Sequence, residues 1–361
     1  MKGYFVMTTS RRDFLTAAAA SSTWLWKRHC VAEVRAQEKR TYALHAWERD
    51  PRNPIFIAKS PFDARGSQGP CVVPNEGRWW MFYGGHGTDD KLRICLATAS
   101  PDRPTEWERL GPVIDLGGPG SFDEVHCIYP CVHRFGDQWH LYYSARSTRV
   151  GPQNFSQYWG IGLATSDNLR DWKKHPDSPV LLGDGVPQYP DNRALVGLGN
   201  ILELPQPDGR TLYRLHYTIL PGGTERDPNH KVCAAAESFD GIEWRNRRVV
   251  LDRRQEAAYE NTGVVGLHVW KTKTRYRAIY TGMDAGLTYS LCEAVSKDGL
   301  TWDRGAPGEN VSLSIRPNTW ESGTIGYPHL LREADALRVF YNGARGYGST
   351  GIGMVTASIL D

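Results

Sequence analysis

The chain has 361 residues, with 43 basic and 40 acidic side chains interspersed for a formal net charge of +3. That balance excludes a dedicated nucleic-acid binder, which carries a basic stripe. With 40% hydrophobic and 23% charged residues, it also excludes a disordered chain. No run of about 18 apolar residues follows the N-terminus, so no membrane span is expected in the mature protein. Thirteen Trp and 17 Tyr are many for this length and suit either core packing or flat contacts with a ligand.

The chain opens with an address. Ser10-Arg11-Arg12-Asp13-Phe14-Leu15 reads as a twin-arginine motif, followed by the small and apolar stretch 16–26 and then Lys27 and Arg28. Residues 1–36 are therefore expected to be an export signal and linker, cut after Ala32 or Ala36, which would place the mature protein in the periplasm or outside the cell. Twin-arginine export moves folded proteins, so disulfides are not expected to build the fold. Cys95, Cys233 and Cys292 read as one repeat position, and Cys71 and Cys131, each just after a Pro, as another. Equivalent positions in different repeats lie beyond disulfide reach, so these are expected to be small buried residues. There is no Cys-x-x-Cys pair and no constellation with metal-ligand spacing; no cofactor is implied, although a structural Ca²⁺ on a propeller axis is compatible with the sequence.

From about residue 42 three motifs recur in one order. First comes an aromatic-acid pair seven residues before a Pro: Phe62-Asp63 with Pro70, Phe122-Asp123 with Pro130, Trp320-Glu321 with Pro328. Tyr259-Glu260 is a copy without the Pro, and the third copy is degenerate around Tyr189-Pro190-Asp191. The Pro opens an apolar run, as expected of an inner strand with Pro at its first residue. Next comes an aromatic strand ending in Tyr: Trp79 to Tyr83, Trp139 to Tyr143, Tyr213 to Tyr217, Tyr276 to Tyr280, and Arg338 to Tyr341. Last comes an Ala-x-Ser strand and a turn closed by Trp, as in Ala236 to Trp244 and Ala294 to Trp302, with a truncated copy at Val355-Thr356-Ala357-Ser358. Ser and Asp are expected to bond the turn backbone while Gly or Asn takes the left-handed position. A short outer strand completes four antiparallel strands, and five such units span 42–361, which predicts an all-β, five-bladed β-propeller.

On Phe122-Asp123, Tyr142-Tyr143-Ser144, the stretch Ile161 to Ser166 and Gly351-Ile352-Gly353-Met354, the chain resembles the five-bladed propeller glycosidases of glycoside hydrolase families 43, 32, 117 and 130. The resemblance implies a carbohydrate substrate in a central pocket and carboxylate acid/base chemistry. In family 43 the base commonly stands immediately before the inner-strand Pro. Here Gly69, Tyr129 and Tyr327 precede Pro70, Pro130 and Pro328, so the acids do not carry over residue by residue.

Repeat position nevertheless nominates candidates. Asp63 or Asp123 is expected as base and Asp191 or Glu124 as acid. Arg65, His86, His126, Arg146, Arg193, Glu260, Asp284, Glu321 and Arg345 are expected to contact substrate. If the four arginines converge, the pocket would hold an acidic or sulfated sugar. The leading expectation is an exported glycoside hydrolase. The alternatives are a non-catalytic carbohydrate-binding propeller and a phosphorylase or transferase on the same fold.

Overall fold

The computed structural model describes residues 42, 45–148, 158–190, 195–221, 229–345 and 351–360. Residues 1–36, where an export signal is expected, and Asp191 and Arg193 lie outside these residues. The described chain is all-β and built of antiparallel meanders. The first runs through Gly66–Asn75, Arg78–His86, Leu92–Ala99 and Glu108–Ile114. The second comprises His126–Phe135, Gln138–Ser147, Tyr158–Ser166 and the short Lys173–Lys174 and Leu181–Leu182. The third is Leu195–Pro205, Thr211–Ile219, Val232–Ser238 and Arg245–Leu251. The fourth is Gly263–Lys271, Tyr276–Met283, Tyr289–Ser296 and Val311–Leu313. Thr324–Arg332, Ala336–Ala344 and Gly351–Ser358 make the last, and its outer strand comes from the beginning of the domain, Glu48–Arg49 and Phe56–Ile57. The truncated C-terminal repeat is thus completed by a distant segment.

Each apolar core lies between neighbouring meanders. Trp79, Met81 and Tyr83 pack against Phe340, Ile352 and Met354, joining the first meander to the last. Phe82 faces the other way, toward Leu141, Tyr143 and Ala164 of the second. The aromatic strands are therefore buried on both faces. The first strands contact one another in order, and Thr324–Arg332 returns to Gly66–Asn75, so they surround a common axis.

The turn chemistry matches its expectation. Ser238 Oγ accepts the amides of Asp240 and Gly241, and Asp240 Oδ1 accepts those of Ile242 and Glu243. Ser296 and Asp298 repeat this. In the second meander Asn168, not Asp167, plays the Asp part, and Leu169 (φ 64°) takes the left-handed position expected of Gly or Asn.

Three expectations need correction. The inner-strand Pro residues do not begin their strands: Pro70, Pro130 and Pro328 sit within them, at register shifts between Gln68/Cys71, Ile128/Cys131 and Gly326/His329. A bulge leaves a residue without a ladder partner, so Pro loses no hydrogen bond there. Cys95 and Cys292 lie opposite Tyr83 and Tyr280, but Cys233 lies opposite Thr218, one residue out of step. The aromatic-rich strands do not alternate as half-exposed strands would, because both of their faces are buried. The described cysteines are all free thiols in the core.

Two imidazoles are sealed among the first strands and their neighbours. His216 is fully buried and His268 is 5% exposed. Burial first, then the Arg214 charge, pushes His216 down to about 3; burial and the neighbouring His329 and His216 push His268 well below its ordinary range. Both are neutral in folded and unfolded chains above pH about 6.5. Below that the unfolded chain binds protons that the folded one refuses, so stability is lost as pH falls. The urea midpoint is expected to fall progressively between pH about 6.5 and 4. His216→Gln should flatten that fall; an unchanged slope would contradict the assignment.

Candidate functional site

The recurring acids are committed to the fold. Asp63 is fully buried; its Oδ1 accepts the amides of Lys59 (3.0 Å) and Ser60 (2.7 Å), and its Oδ2 accepts Tyr83 OH and Arg109 Nε, both at 3.0 Å. Burial raises its pKa, but the Ser60 and Lys59 amides and Arg109 outweigh this and hold it below the usual range. Asp123 accepts Tyr143 OH (3.2 Å) and Lys174 Nζ (2.6 Å). Glu260 accepts Tyr280 OH (2.6 Å) and pairs with Arg254 and Arg304. Glu321 accepts Tyr341 OH (2.7 Å) and pairs with Arg49 (2.5 Å). All four are at most 2% exposed.

Each acid bonds the Tyr twenty residues later and a cation from an outer strand or adjoining segment. The expected roles of Asp63 and Asp123 as base, and of Glu260 and Glu321 as substrate contacts, fail on access: these carboxylates have no open approach. The constant spacing was visible in the sequence and is the signal of a repeated structural bond. Glu124 is also held locally, accepting Gly120 N (2.6 Å) and Thr148 N (2.9 Å), and Asp284 accepts Thr288 N (2.7 Å) across its own turn.

A different set gathers where the first two meanders meet. Leu92 and His126 form a single parallel bridge, and Leu92 N donates to His126 Nδ1 (3.2 Å). His126 lies opposite Arg146 in the next strand. His86 Nε2 donates to Asp90 Oδ1 (2.8 Å), and Arg65 Nη1 pairs with the same oxygen (3.3 Å). Burial, followed by the charges of Arg146, Lys91 and His86, pushes His126 down to about 4, so it is neutral at physiological pH and presents an Nε2 proton. The His86 bond and the Arg65 charge hold Asp90 ionised. Burial lowers the Arg146 pKa. Structure therefore brings together Arg65, His86, His126 and Arg146, four of the residues nominated by repeat position, and adds Asp90 and Lys91. Arg345 is exposed at the corresponding end of the last meander.

Sequence reasoning also missed a second set at that end. Tyr189 OH donates to Asp252 Oδ2 (2.8 Å) and His230 Nε2 to Oδ1 (2.9 Å). Burial raises the Asp252 pKa, but the His230 and Tyr189 bonds bring it below the usual range. Lys231 bridges Gly263 as Leu92 bridges His126, and burial pushes its ammonium down to about 8. No local motif marks these residues, because the partners lie 22 and 63 positions apart.

The cluster can neutralise and orient an anion. Arg65 and His86 hold the exposed carboxylate of Asp90, and Arg146 lies opposite the neutral His126 in the next strand, so two guanidinium groups and an imidazole N–H gather at this end of the strands. A cleft of about 680 Å³ lies elsewhere, at the seam between the start of the domain and the last meander, bordered by Trp47, Arg49, Arg316 and Trp320. Among the described residues no helix is long and apolar enough to cross a membrane, and no group of three or more His, Cys, Asp or Glu could hold a metal ion.

No protein-family model matches the chain. An uncharacterized protein of Mycobacterium tuberculosis is 28% identical over 325 residues, covering 86% of this chain and 98% of that one. A 1,2-β-oligomannan phosphorylase of a Thermoanaerobacter species is 27% identical over 133 residues, 36% of each chain. A thermostable family-43 glycoside hydrolase superposes with a TM-score of 0.60 at 18% identity, over 84% of this chain and 90% of its own. A structure from glycoside hydrolase family 130, described as targeting β-1,2 mannosidic linkages in Candida mannan, superposes at 0.61 with 15% identity, over 89% and 98%. The structural neighbours are thus glycoside hydrolases of the family 43 and family 130 propeller type, and what is shared at these identities is the fold.

Proposed function

We propose that the chain is an exported five-bladed β-propeller that cleaves glycosidic bonds at a glycan end, in a pocket where the first strands begin. The observation that carries this reading is that Arg65 and His86, which hold Asp90, and the facing pair His126 and Arg146 gather at that end of the axis. The ring of antiparallel meanders and the glycan-acting proteins on the same fold support it. The cations suit a uronate or sulfated sugar. For hydrolysis, Asp90, held ionised, is the base, and Asp191, whose sequence position is at the start of the third repeat, is the acid.

Phosphorolysis is the second reading, favoured by one feature: cations outnumber carboxylates among the described residues of the cluster. There phosphate attacks the anomeric carbon and one acid protonates the leaving oxygen, so a single carboxyl and an anion site suffice.

The test is product release from acidic and neutral glycans with and without phosphate. Free sugar without phosphate supports hydrolysis, and sugar phosphate supports phosphorolysis. Binding without release would make the protein a carbohydrate-binding propeller, and neither binding nor release across the panel would sink the reading. Arg146→Met is expected to weaken binding of an acidic glycan roughly tenfold or more, since hydrogen bonds to charged groups are worth about 1.5–3 kcal/mol. The loss should shrink as salt is raised.

A further inference from the structure

The bulge of the first strand adopts left-handed backbone at Gly69 (φ 62°), Tyr129 (φ 54°), Gly266 (φ 64°) and Tyr327 (φ 53°). Two of these equivalent positions carry glycine, the residue that this conformation favours. The other two carry a bulky aromatic, for which it is strained. The backbone is held there from the preceding meander: Tyr327 N donates to Thr281 Oγ1 (2.8 Å), Gly69 N to Asn342 Oδ1 (2.9 Å) and Gly266 N to Thr218 Oγ1 (3.2 Å). The fold therefore needs the bulge but does not need tyrosine in it.

The two tyrosines meet. Their ring centroids are 4.5 Å apart with an interplanar angle of 22°, and Tyr289 stands edge-on to Tyr327 at 6.5 Å. Room for them is made by glycine: a Cβ at Gly69 would lie 2.8 Å from Tyr129 Cδ1, and Gly197 borders the same ring. With Pro70, Pro130, Leu198 and Pro328 they leave a cavity of only about 10 Å³ among the first strands, so the rings close the space between them. A strained pair of aromatics that meets across the axis, where glycine serves elsewhere in the same ring, points to a ligand contact rather than to packing.

We infer that the Tyr129–Tyr327 pair is the floor of the glycan pocket, closing the axis and stacking against the terminal sugar ring. This inference rests on the glycan reading above. Aromatic faces and edges match the C–H faces of a sugar, and a closed floor admits a chain end and not a through-running chain.

Asn tolerates left-handed backbone, so Tyr129→Asn and Tyr327→Asn separate ring from strain. The probes are mannan-derived and pectin-derived oligosaccharide series, read by affinity electrophoresis and by the lengths of the products. Each Asn variant is expected to unfold cooperatively and to bind the retarded series roughly tenfold more weakly, while the wild type releases only terminal units. Wild-type affinity in a folded Asn variant, or internal cleavage by the wild type, overturns the floor while leaving glycan action standing. A wild type that neither binds nor cleaves overturns both. If an Asn variant does not fold, Tyr129→Gly and Tyr327→Gly take its place, since glycine stands at the equivalent Gly69 and Gly266, and the same loss of affinity is expected while unchanged affinity defeats the inference.

Discussion

Glu260→Ala is expected to lower the unfolding free energy by about 3–5 kcal/mol, the range for breaking a buried ion pair from one side. The carboxylate is fully buried and bonded to Tyr280 OH at 2.6 Å, with Arg254 and Arg304 beside it, each only 13% exposed. Those guanidinium groups are anchored elsewhere as well: Arg254 donates to Gly305 O (2.6 Å) and Asn310 Oδ1 (3.0 Å), and Arg304 to Asp252 O (2.8 Å). They cannot swing to water when the carboxylate goes, so two charges are left with one acceptor fewer in a dry site. Glu260→Gln keeps an acceptor and should cost less. Urea denaturation checks both, with the midpoint falling and the slope unchanged. A loss under about 1 kcal/mol for the Ala variant would mean that the network relaxes, and the acid–Tyr–cation unit would not be the structural bond assigned here.

The second large effect is steric. Gly199→Ala is expected to cost about 3 kcal/mol, at the upper end for overpacking. A Cβ there would lie 1.9 Å from the carbonyl oxygen of Leu267 and 2.9 Å from its carbon, both backbone atoms of the next meander. No rotamer change can relieve a backbone clash, so the first strands of the third and fourth meanders would have to separate. Gly118→Ala is the control, because its Cβ would meet nothing within 4 Å; it should stay within about 0.5 kcal/mol of wild type. Thermal or urea unfolding of the pair decides it. Equal stability would show that the first strands are not held at this spacing.

Much of the fold was legible because strand repeats leave a one-dimensional record. The order of inner, aromatic, Ala-x-Ser and outer strands reappears as the order of pairing. The Ser-x-Asp turns bond their backbone as that chemistry requires. The acids Asp63, Asp123, Glu260 and Glu321 were also visible, but their regularity carried two meanings. A twenty-residue spacing to Tyr83, Tyr143, Tyr280 and Tyr341 separates them: a bond made in four repeats belongs to the scaffold. The cations that complete those bonds were not legible, because Arg109, Lys174 and Arg304 arrive at unequal separations and Arg49 precedes its acid by hundreds of residues.

By itself the sequence determined the all-β class, the strand order, the turns and the burial of free cysteines, since each follows from local periodicity and side-chain chemistry. Only the tertiary structure decided that the last meander borrows its outer strand from the start of the domain, that the Pro residues lie in bulges, and that Arg65, His86, Asp90, His126 and Arg146 share one end of the axis. The borrowed strand and the approach of His126 to Leu92 join segments far apart in the chain, and the bulges are register shifts that depend on strand pairing; neither leaves a periodic trace within a single segment.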